Sequence, residues 1–322
     1  MGKDVYVTKA DGELEPLDLT KLKHSLARSG AAEALVERVA RRVASKVENG
    51  IPTEKLYRLA FRQLRKERRH ISARYSLKRA VMQLGPTGYP FERLIAAILS
   101  QEGWRTEVGV NLQGAVNHEI DVLAEYASGD ESHRLLVECK HKMSGDAKCD
   151  VKTALYVSAR ARDLLGDLHG NSDQFWLVTN GRFTADAVVY AKSVHLGLLS
   201  WDLPKSPPIN VHDYDRKSVP PPAAVELDLP QRNLAQRITD ELAFPITCLT
   251  SLKQRHKQQL LDDRIVLCRE LDAHPELLQK LRLDAAQRTE VRRELFDLLH
   301  PLTLEPSPPS TRDEPPGPEL LP

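Results

Sequence analysis

The sequence predicts a multidomain α+β and α/β protein of 322 residues: a hairpin with helices, then a mixed sheet with flanking helices, then a helical C-terminal segment. Three observations predict it. The length exceeds the ~250–300 residues at which a single hydrophobic core stops growing. Helical apolar repeats before residue 85 give way to apolar strands alternating with helices between 89 and 204. Seven prolines between Leu203 and Arg232 then separate this region from renewed helical periodicity. The expected units are therefore 1–85, 89–204, a proline-rich linker at 205–232, a helical region at 233–303 and a disordered tail at 304–322, where eight prolines fall within Pro301–Pro322.

The elements follow from local chemistry. Val5–Thr8 reads as a strand, Ala10-Asp11-Gly12 as a hairpin turn, and Leu14–Leu17 as a second strand. Asp18 is placed to cap a helix from Leu19 to about Arg28, with Gly30 just past its end. A second helix is expected over Ala31–Glu48, and a third capped by Thr53. A fourth carries Ile71, Tyr75, Leu77, Ala80 and Leu84 before Gly85. After Pro86–Pro90 come a helix with Phe91, Leu94, Ile95 and Ile98, then strands at Trp104–Val110, Glu119–Ala124 and Arg134–Lys140. A helix at Val151–Leu168, a strand at Gln174–Thr179, a helix at Thr184–Val194 and a strand at Leu196–Trp201 complete a mixed sheet covered on both faces. Beyond Asn233, Pro245 and Pro275 divide the repeats into about three helices, a small bundle or an arm through which copies form a homo-oligomer.

Composition excludes some classes and favours others. No stretch approaches the ~18–20 apolar residues of a membrane span, and Met1–Ala10 lacks the apolar region of a signal peptide, so a cytoplasmic protein with no membrane partner is expected. Cys139, Cys149, Cys248 and Cys268 have no Cys-x-x-Cys spacing, which points to buried reduced thiols. Net charge is +1, yet Lys21–Met82 holds 17 Lys plus Arg against 5 Glu and no Asp, a local excess of +12. Such a block attracts phosphates of a nucleotide or a nucleic acid, or forms a solvated helical face.

The chemistry concentrates at one strand end. Glu138, Cys139 and Lys140 follow the apolar run Leu135-Leu136-Val137, seventeen residues after Asp121, which ends another apolar stretch. On a strand Glu138 and Lys140 share a face while Cys139 points into the core. Two carboxylates and an ammonium are the minimal set for metal-dependent phosphodiester hydrolysis. Asp121 and Glu138 are hard ligands for Mg²⁺ or Mn²⁺, the Cys139 carbonyl can add a third oxygen, and Lys140 orients or helps deprotonate the attacking water. The alternative is an ordinary set of salt-bridged surface residues. His141, Lys142 and Lys148 either touch phosphate or form a solvated loop. Trp104, Trp176 and Trp201 are expected in the core, and His118 in a loop.

Two resemblances add to this. Val5–Lys9, Asp11-Gly12, Glu15-Pro16-Leu17-Asp18, Lys21-Leu22, Pro52-Thr53 and Tyr75-x-x-Lys78-Arg79 together resemble an ATP-cone domain over Val5 to about Leu84. The resemblance implies an allosteric module binding ATP or dATP, with contacts at Lys9, Glu15, Lys21 and Thr53. The family often has Arg where this chain has Ala10. From Tyr89 to Asp202, Phe91–Leu94, Gly103-Trp104, Glu119–Ala124, Glu138–Lys140 and Leu177–Thr184 resemble Mrr-like restriction endonucleases of the PD-(D/E)xK superfamily. That resemblance implies a DNA endonuclease in which Asp121 and Glu138 bind metal, Lys140 serves the water, and Glu92 is a further acid near the metal. His118-Glu119 stand where the family typically has small residues.

Together these imply a divalent-metal-dependent DNA endonuclease regulated by ATP or dATP. The competing expectation is a nucleotide-sensing DNA-binding or transcription-regulating protein whose nuclease fold is inactive.

Overall fold

The computed structural model describes residues 5–9, 12–128, 131–144, 147–168, 172–205 and 230–300. The expected Ala10-Asp11 turn, nearly all of the proline-rich linker and the 304–322 tail lie outside them.

At the N-terminus, β1 (Tyr6–Thr8) pairs antiparallel with β2 (Leu14–Pro16), setting Val7 opposite Glu15. The two-residue β3 (Ile51–Pro52) joins β1 in parallel, with Thr8 beside Pro52. Helix α1 spans Leu19–Arg28 as expected, because the Asp18 carboxylate accepts from the N–H of Thr20 at 2.8 Å and of Lys21 at 3.4 Å. Helices α2 (Glu33–Ala44) and α3 (Thr53–Glu67) complete a core around Leu26, Val39, Val43, Ala60 and Leu64, all fully buried. Thr53 is not the cap of α3 but its first residue. Pro52 takes the cap position and has no side-chain oxygen to offer. The single fourth helix is two, α4 (Arg69–Tyr75) and α5 (Leu77–Met82), interrupted at Ser76, whose hydroxyl donates to the Ala73 carbonyl at 3.1 Å.

The central sheet runs β10-β8-β6-β5-β4. Here β4 is Arg105–Gln113, β5 Asn117–Ser128, β6 Glu131–Lys140, β8 Gln174–Thr179 and β10 Gly197–Leu199. β4, β5 and β6 are antiparallel neighbours, whereas β6, β8 and β10 run parallel. A small parallel ribbon, β7 (Lys148–Cys149) with β9 (Arg182–Phe183), stands beside it. Helix α6 (Tyr89–Gln101) covers one face, where Val122, Val137, Cys139 and Val178 meet Phe91, Leu94 and Ile98. Helices α7 (Val151–Leu165) and α8 (Ala185–Ser193) cover the other, against Ile120, Leu136, Phe175 and Leu177. Burying each such large side chain contributes about 1.5–3 kcal/mol.

The C-terminal region corrects the three-helix expectation: among the described residues it forms α9 (Leu234–Asp240), α10 (Gln254–Asp262), α11 (Cys268–Ala273), α12 (Leu277–Lys280) and α13 (Ala285–Leu299), with a 3₁₀ turn at Ile246–Cys248. Two of the helix breaks, after α10 and after α12, are additional to those expected at Pro245 and Pro275, and neither carries a glycine. Leu242, Arg264 and Arg282 adopt left-handed φ of 50°, 63° and 51° just beyond helix ends. Nor does this region project as an arm: its apolar residues share one core with α4, α5, α6 and the α6 face of the sheet. Polar ties reinforce the contact. Arg93 of α6 meets Glu270 at 2.7 Å, Glu102 is clasped by Arg232 at 2.8 Å and Arg237 at 2.5 Å, and Thr247 Oγ1 donates to the Ala80 carbonyl of α5 at 2.7 Å.

Candidate active site

The site lies where the apolar runs of β5 and β6 end. The β5–β6 ladder closes with Val122 opposite Val137, so the register carried one step further sets Asp121 across from Glu138. Asp121 Oδ2 accepts the Cys139 N–H at 2.6 Å, taking the place of a ladder carbonyl. A break in β4 helps to shape this. Gly109 has φ 72°, a conformation costing other residues about 1–2 kcal/mol, and its flanking pairs are Val108–Val122 and Val110–Ile120. Across this break the pleat changes side: Val122 faces α6 whereas Ile120 faces α7, leaving Asp121 at the switch.

Glu138 is 3% exposed and needs cationic partners at that depth. Lys140 Nζ donates to its Oε1, and NH1 of Arg160 on α7 donates to its Oε2. Arg160 also donates through NH2 to the Glu119 carbonyl, tying α7 to the strand that carries Asp121. Cys139 points into the core as expected, and burial pushes its thiol well above the ordinary range.

Glu92, on the first turn of α6, faces the same place. Gly88 leaves it room, since a Cβ there would lie 2.6 Å from Glu92 Oε1. Burial, then the charges of Asp121, Glu119 and Glu138, pushes the Glu92 carboxyl up to about 7. Burial and then Glu138 likewise push Asp121 up to about 6, against the Cys139 N–H bond. For Lys140, burial works to lower the ammonium but is outweighed by the hydrogen bond and charge of Glu138, so the net shift is upward and the group stays cationic at neutral pH.

The donors suit a hard dication. All are oxygens, Glu92 and Asp121 are protonated more readily than usual because negative charge is crowded in a partly dry setting, and a cation would relieve that crowding. Among the described residues no three His, Cys, Asp or Glu side chains form a closed cage. An ion here would rely on one or two carboxylates and complete its shell with water, backbone and substrate oxygens, as Mg²⁺ commonly does.

The flanking residues divide. His141 is not at a phosphate-binding surface: its Nε2–H donates to the Val81 carbonyl of α5 at 2.9 Å, and its ring lies 5.4 Å from Phe91. Lys142 lies just past the end of β6, and Lys148 begins β7. Asn180 clasps the Lys142 backbone at 2.6 and 2.7 Å, and Lys148 pairs in register with Arg182. His118 lies on β5 rather than in a loop, and bonds Asp163 of α7 at 2.8 Å. Trp176 is buried in the core, with Trp104 and Trp201 packed against it.

The four residues suggested for nucleotide contact also come together. Glu15 sits between two ammonium groups, with Lys21 Nζ on Oε1 and Lys9 Nζ 3.0 Å from Oε2, and hydrogen bonds from Lys21 and then Lys9 hold its carboxyl below the usual range. The parallel pairing of Thr8 with Pro52 brings Lys9 alongside Thr53, whose helix start has no side-chain cap. Exposed pairs of this kind are worth ~0–1 kcal/mol, so phosphate oxygens could replace Glu15 at little cost.

Three family models match parts of the chain. Residues 5–82 match the ATP cone domain, residues 86–204 the restriction endonuclease domain Mrr_cat, and residues 244–299 the AF1548-like C-terminal domain. An uncharacterized protein of Archaeoglobus fulgidus is 30% identical over 204 residues, covering 61% of this chain and 95% of its own length. Among solved structures, that of AF1548, a protein of unknown function, is 25% identical with a TM-score of 0.47, covering 66% of this chain and 98% of its own. The MspJI restriction endonuclease bound to a 27-mer oligonucleotide is 17% identical with a TM-score of 0.30, covering 40% of this chain and 29% of its own. The chain belongs to the family of the Archaeoglobus protein, and joins an ATP cone domain, an Mrr-type restriction endonuclease domain and an AF1548-like C-terminal domain.

Proposed function

We propose that this protein is a DNA endonuclease that hydrolyses phosphodiester bonds with Mg²⁺ or Mn²⁺ and is regulated by ATP or dATP bound to its N-terminal domain. The observation that carries the reading is the meeting of Asp121, Glu138 and Lys140 at one strand end with Glu92 facing them. Asp121 and Glu138, with the Cys139 carbonyl, would hold the ion, which would supply Lewis-acid stabilisation of charge developing on the phosphate, with Glu92 as a further acid beside it. Lys140, held cationic by Glu138, orients the attacking water and offsets that charge rather than accepting its proton. Glu92, with its carboxyl near 7, is the group best poised to exchange a proton with that water at neutral pH.

Regulation has a physical route. His141 follows Lys140, packs on Phe91 next to Glu92, and is hydrogen-bonded to α5 of the nucleotide module. A nucleotide that prefers one placement of α5 would therefore bias both acids and the lysine, acting as a ligand rather than as fuel.

Cleavage of plasmid, single-stranded and methylated DNA, with and without metal, ATP, dATP and a non-hydrolysable ATP analogue, tests the reading. Metal-dependent cutting abolished in D121A and K140A, with the analogue replacing ATP, is expected; cutting that survives in both variants would refute the assignment. The Arg160–Glu138 pair favours a second reading, a DNA-binding protein with an inactive nuclease fold, since both Glu138 oxygens already carry cationic partners. DNA retention without cleavage in both metals and every nucleotide state would select it.

A further inference from the structure

A cleft of about 250 Å³ lies between the ATP cone domain and the C-terminal helices, away from the acidic site. One wall carries Tyr57 and Arg65 of α3 and Arg79 of α5; the other carries Thr247, Thr250 and Lys257. Among the described residues three cations line it, and no Asp or Glu does. Arg79 is held in place by an exposed pair with Glu54 at 3.1 Å and by lying 5.0 Å over the Tyr57 ring. Lys257 donates to the Thr247 carbonyl at 2.7 Å. Burial lowers its ammonium; the charge of Glu294 works the other way and outweighs the smaller repulsion from Arg65. Glu294 is itself engaged, accepting from Thr250 N and Oγ1 at 2.7 Å and from Ser251 N at 2.8 Å.

Converging cations in a partly dry cleft repel one another unless an anion joins them. The hydroxyls of Thr247 and Thr250 stand on the same lining, although in this structure both donate elsewhere, to Ala80 O and Glu294. The volume is below the ~300–1,000 Å³ of pockets for whole drug-sized ligands, and too small for a nucleic-acid strand. Tyr57 is already engaged by Tyr75 at a ring distance of 4.9 Å and by Arg79 at 5.0 Å, so its ring is not free to stack on a base.

We propose that this cleft is an anion site for a phosphate or polyphosphate group of a small molecule, built jointly by Arg65 and Arg79 of the ATP cone domain and Lys257 of the C-terminal domain. Lys9, Glu15, Lys21 and Thr53 do not line it, so it is separate from the nucleotide contacts described above. Its occupant would bridge the two domains, giving the C-terminal helices a ligand-dependent role independent of cleavage.

Calorimetry and thermal melts on the full chain test this with phosphate, tripolyphosphate and ATP, comparing the parent with K9A/K21A, K257M and R65A. Tripolyphosphate binding should persist in K9A/K21A and weaken about tenfold or more in K257M and R65A. In K9A/K21A, ATP binding tighter than tripolyphosphate identifies a nucleotide as the source of the group; equal or weaker ATP binding identifies a free polyphosphate. K257M keeps the packing stem and loses a buried charge, so its ligand-free melting point should equal or exceed that of the parent. If it does not fold, the exposed Arg65 position decides. Loss of all polyphosphate binding in K9A/K21A, or parent-like binding in both K257M and R65A, overturns the proposal.

Discussion

Replacing Asp121 by Asn removes one negative charge while keeping an oxygen to accept the Cys139 N–H. The Asp121 carboxyl is pushed up to about 6 from an ordinary 3.8, by burial and then by Glu138. At ~1.36 kcal/mol per pH unit the full cost of ionising it in the fold is about 3 kcal/mol, and partial solvent exposure reduces that to roughly 1–2 kcal/mol. The sign follows from linkage. A carboxyl whose folded value lies above its unfolded value destabilises the fold increasingly as pH rises from about 4 to about 6, with the whole penalty present above that. D121N should therefore be more stable than the parent at pH 7.5 in EDTA by roughly 1–2 kcal/mol, and by about half as much at pH 5. Mg²⁺ or Mn²⁺ should raise the melting point of the parent and leave that of D121N nearly unchanged. Urea unfolding and thermal melts at the two pH values measure this. A D121N protein less stable than the parent at pH 7.5, or a gap that widens at pH 5, would show that Asp121 is a structural acid and not part of a charge-crowded metal site.

Three further outcomes are expected. Single-turnover cleavage in Mg²⁺ should rise between about pH 6 and 8, since Asp121, near 6, must lose its proton before it can hold the ion and Glu92, near 7, before it can accept one from the water; a flat profile in this range contradicts their assignment. H141L should bind ATP as the parent does and still cut DNA, but its cleavage should respond to nucleotide several-fold less; an unchanged response would place the coupling elsewhere. Removing Lys142, Lys148 and Arg182 together should flatten the dependence of DNA affinity on salt by about 0.9 per lost phosphate contact, measured by anisotropy in Ca²⁺, and an unchanged slope would exclude them from the DNA surface.

Much of the architecture was legible because local signals were strong. Asp18 and Gly30 fixed α1, and Gln174–Thr179 formed a strand with the expected ends because its apolar run is buried on both faces. Glu138 and Lys140 stood out because they close the apolar run of β6, and Asp121 because it interrupts that of β5 between Ile120 and Val122. Less visible was what surrounds them. Arg160 lies within the stripe Ala154, Val157 and Ala161 of α7, and a cation on a buried face signals a partner, but nothing local names Glu138 as that partner. Gly109 marks a break in β4, yet only pairing with β5 shows that the break turns Asp121. The C-terminal breaks after α10 and α12 leave no mark in the sequence, because Arg264 and Arg282 take left-handed φ without glycine. The docking of the C-terminal helices on α6 rests on contacts far apart in sequence, such as Arg93 with Glu270 and Arg232 with Glu102, which periodicity cannot reveal.

The most direct test of the central claim is calorimetric titration of Mn²⁺ into the full chain, with and without a short DNA duplex. The parent should take up Mn²⁺ more tightly when DNA is present, with affinity weakened about tenfold or more in D121A and uptake lost in D121A/E138A. Parent-like uptake by the double variant, or no uptake by the parent in the presence of DNA, would contradict the account.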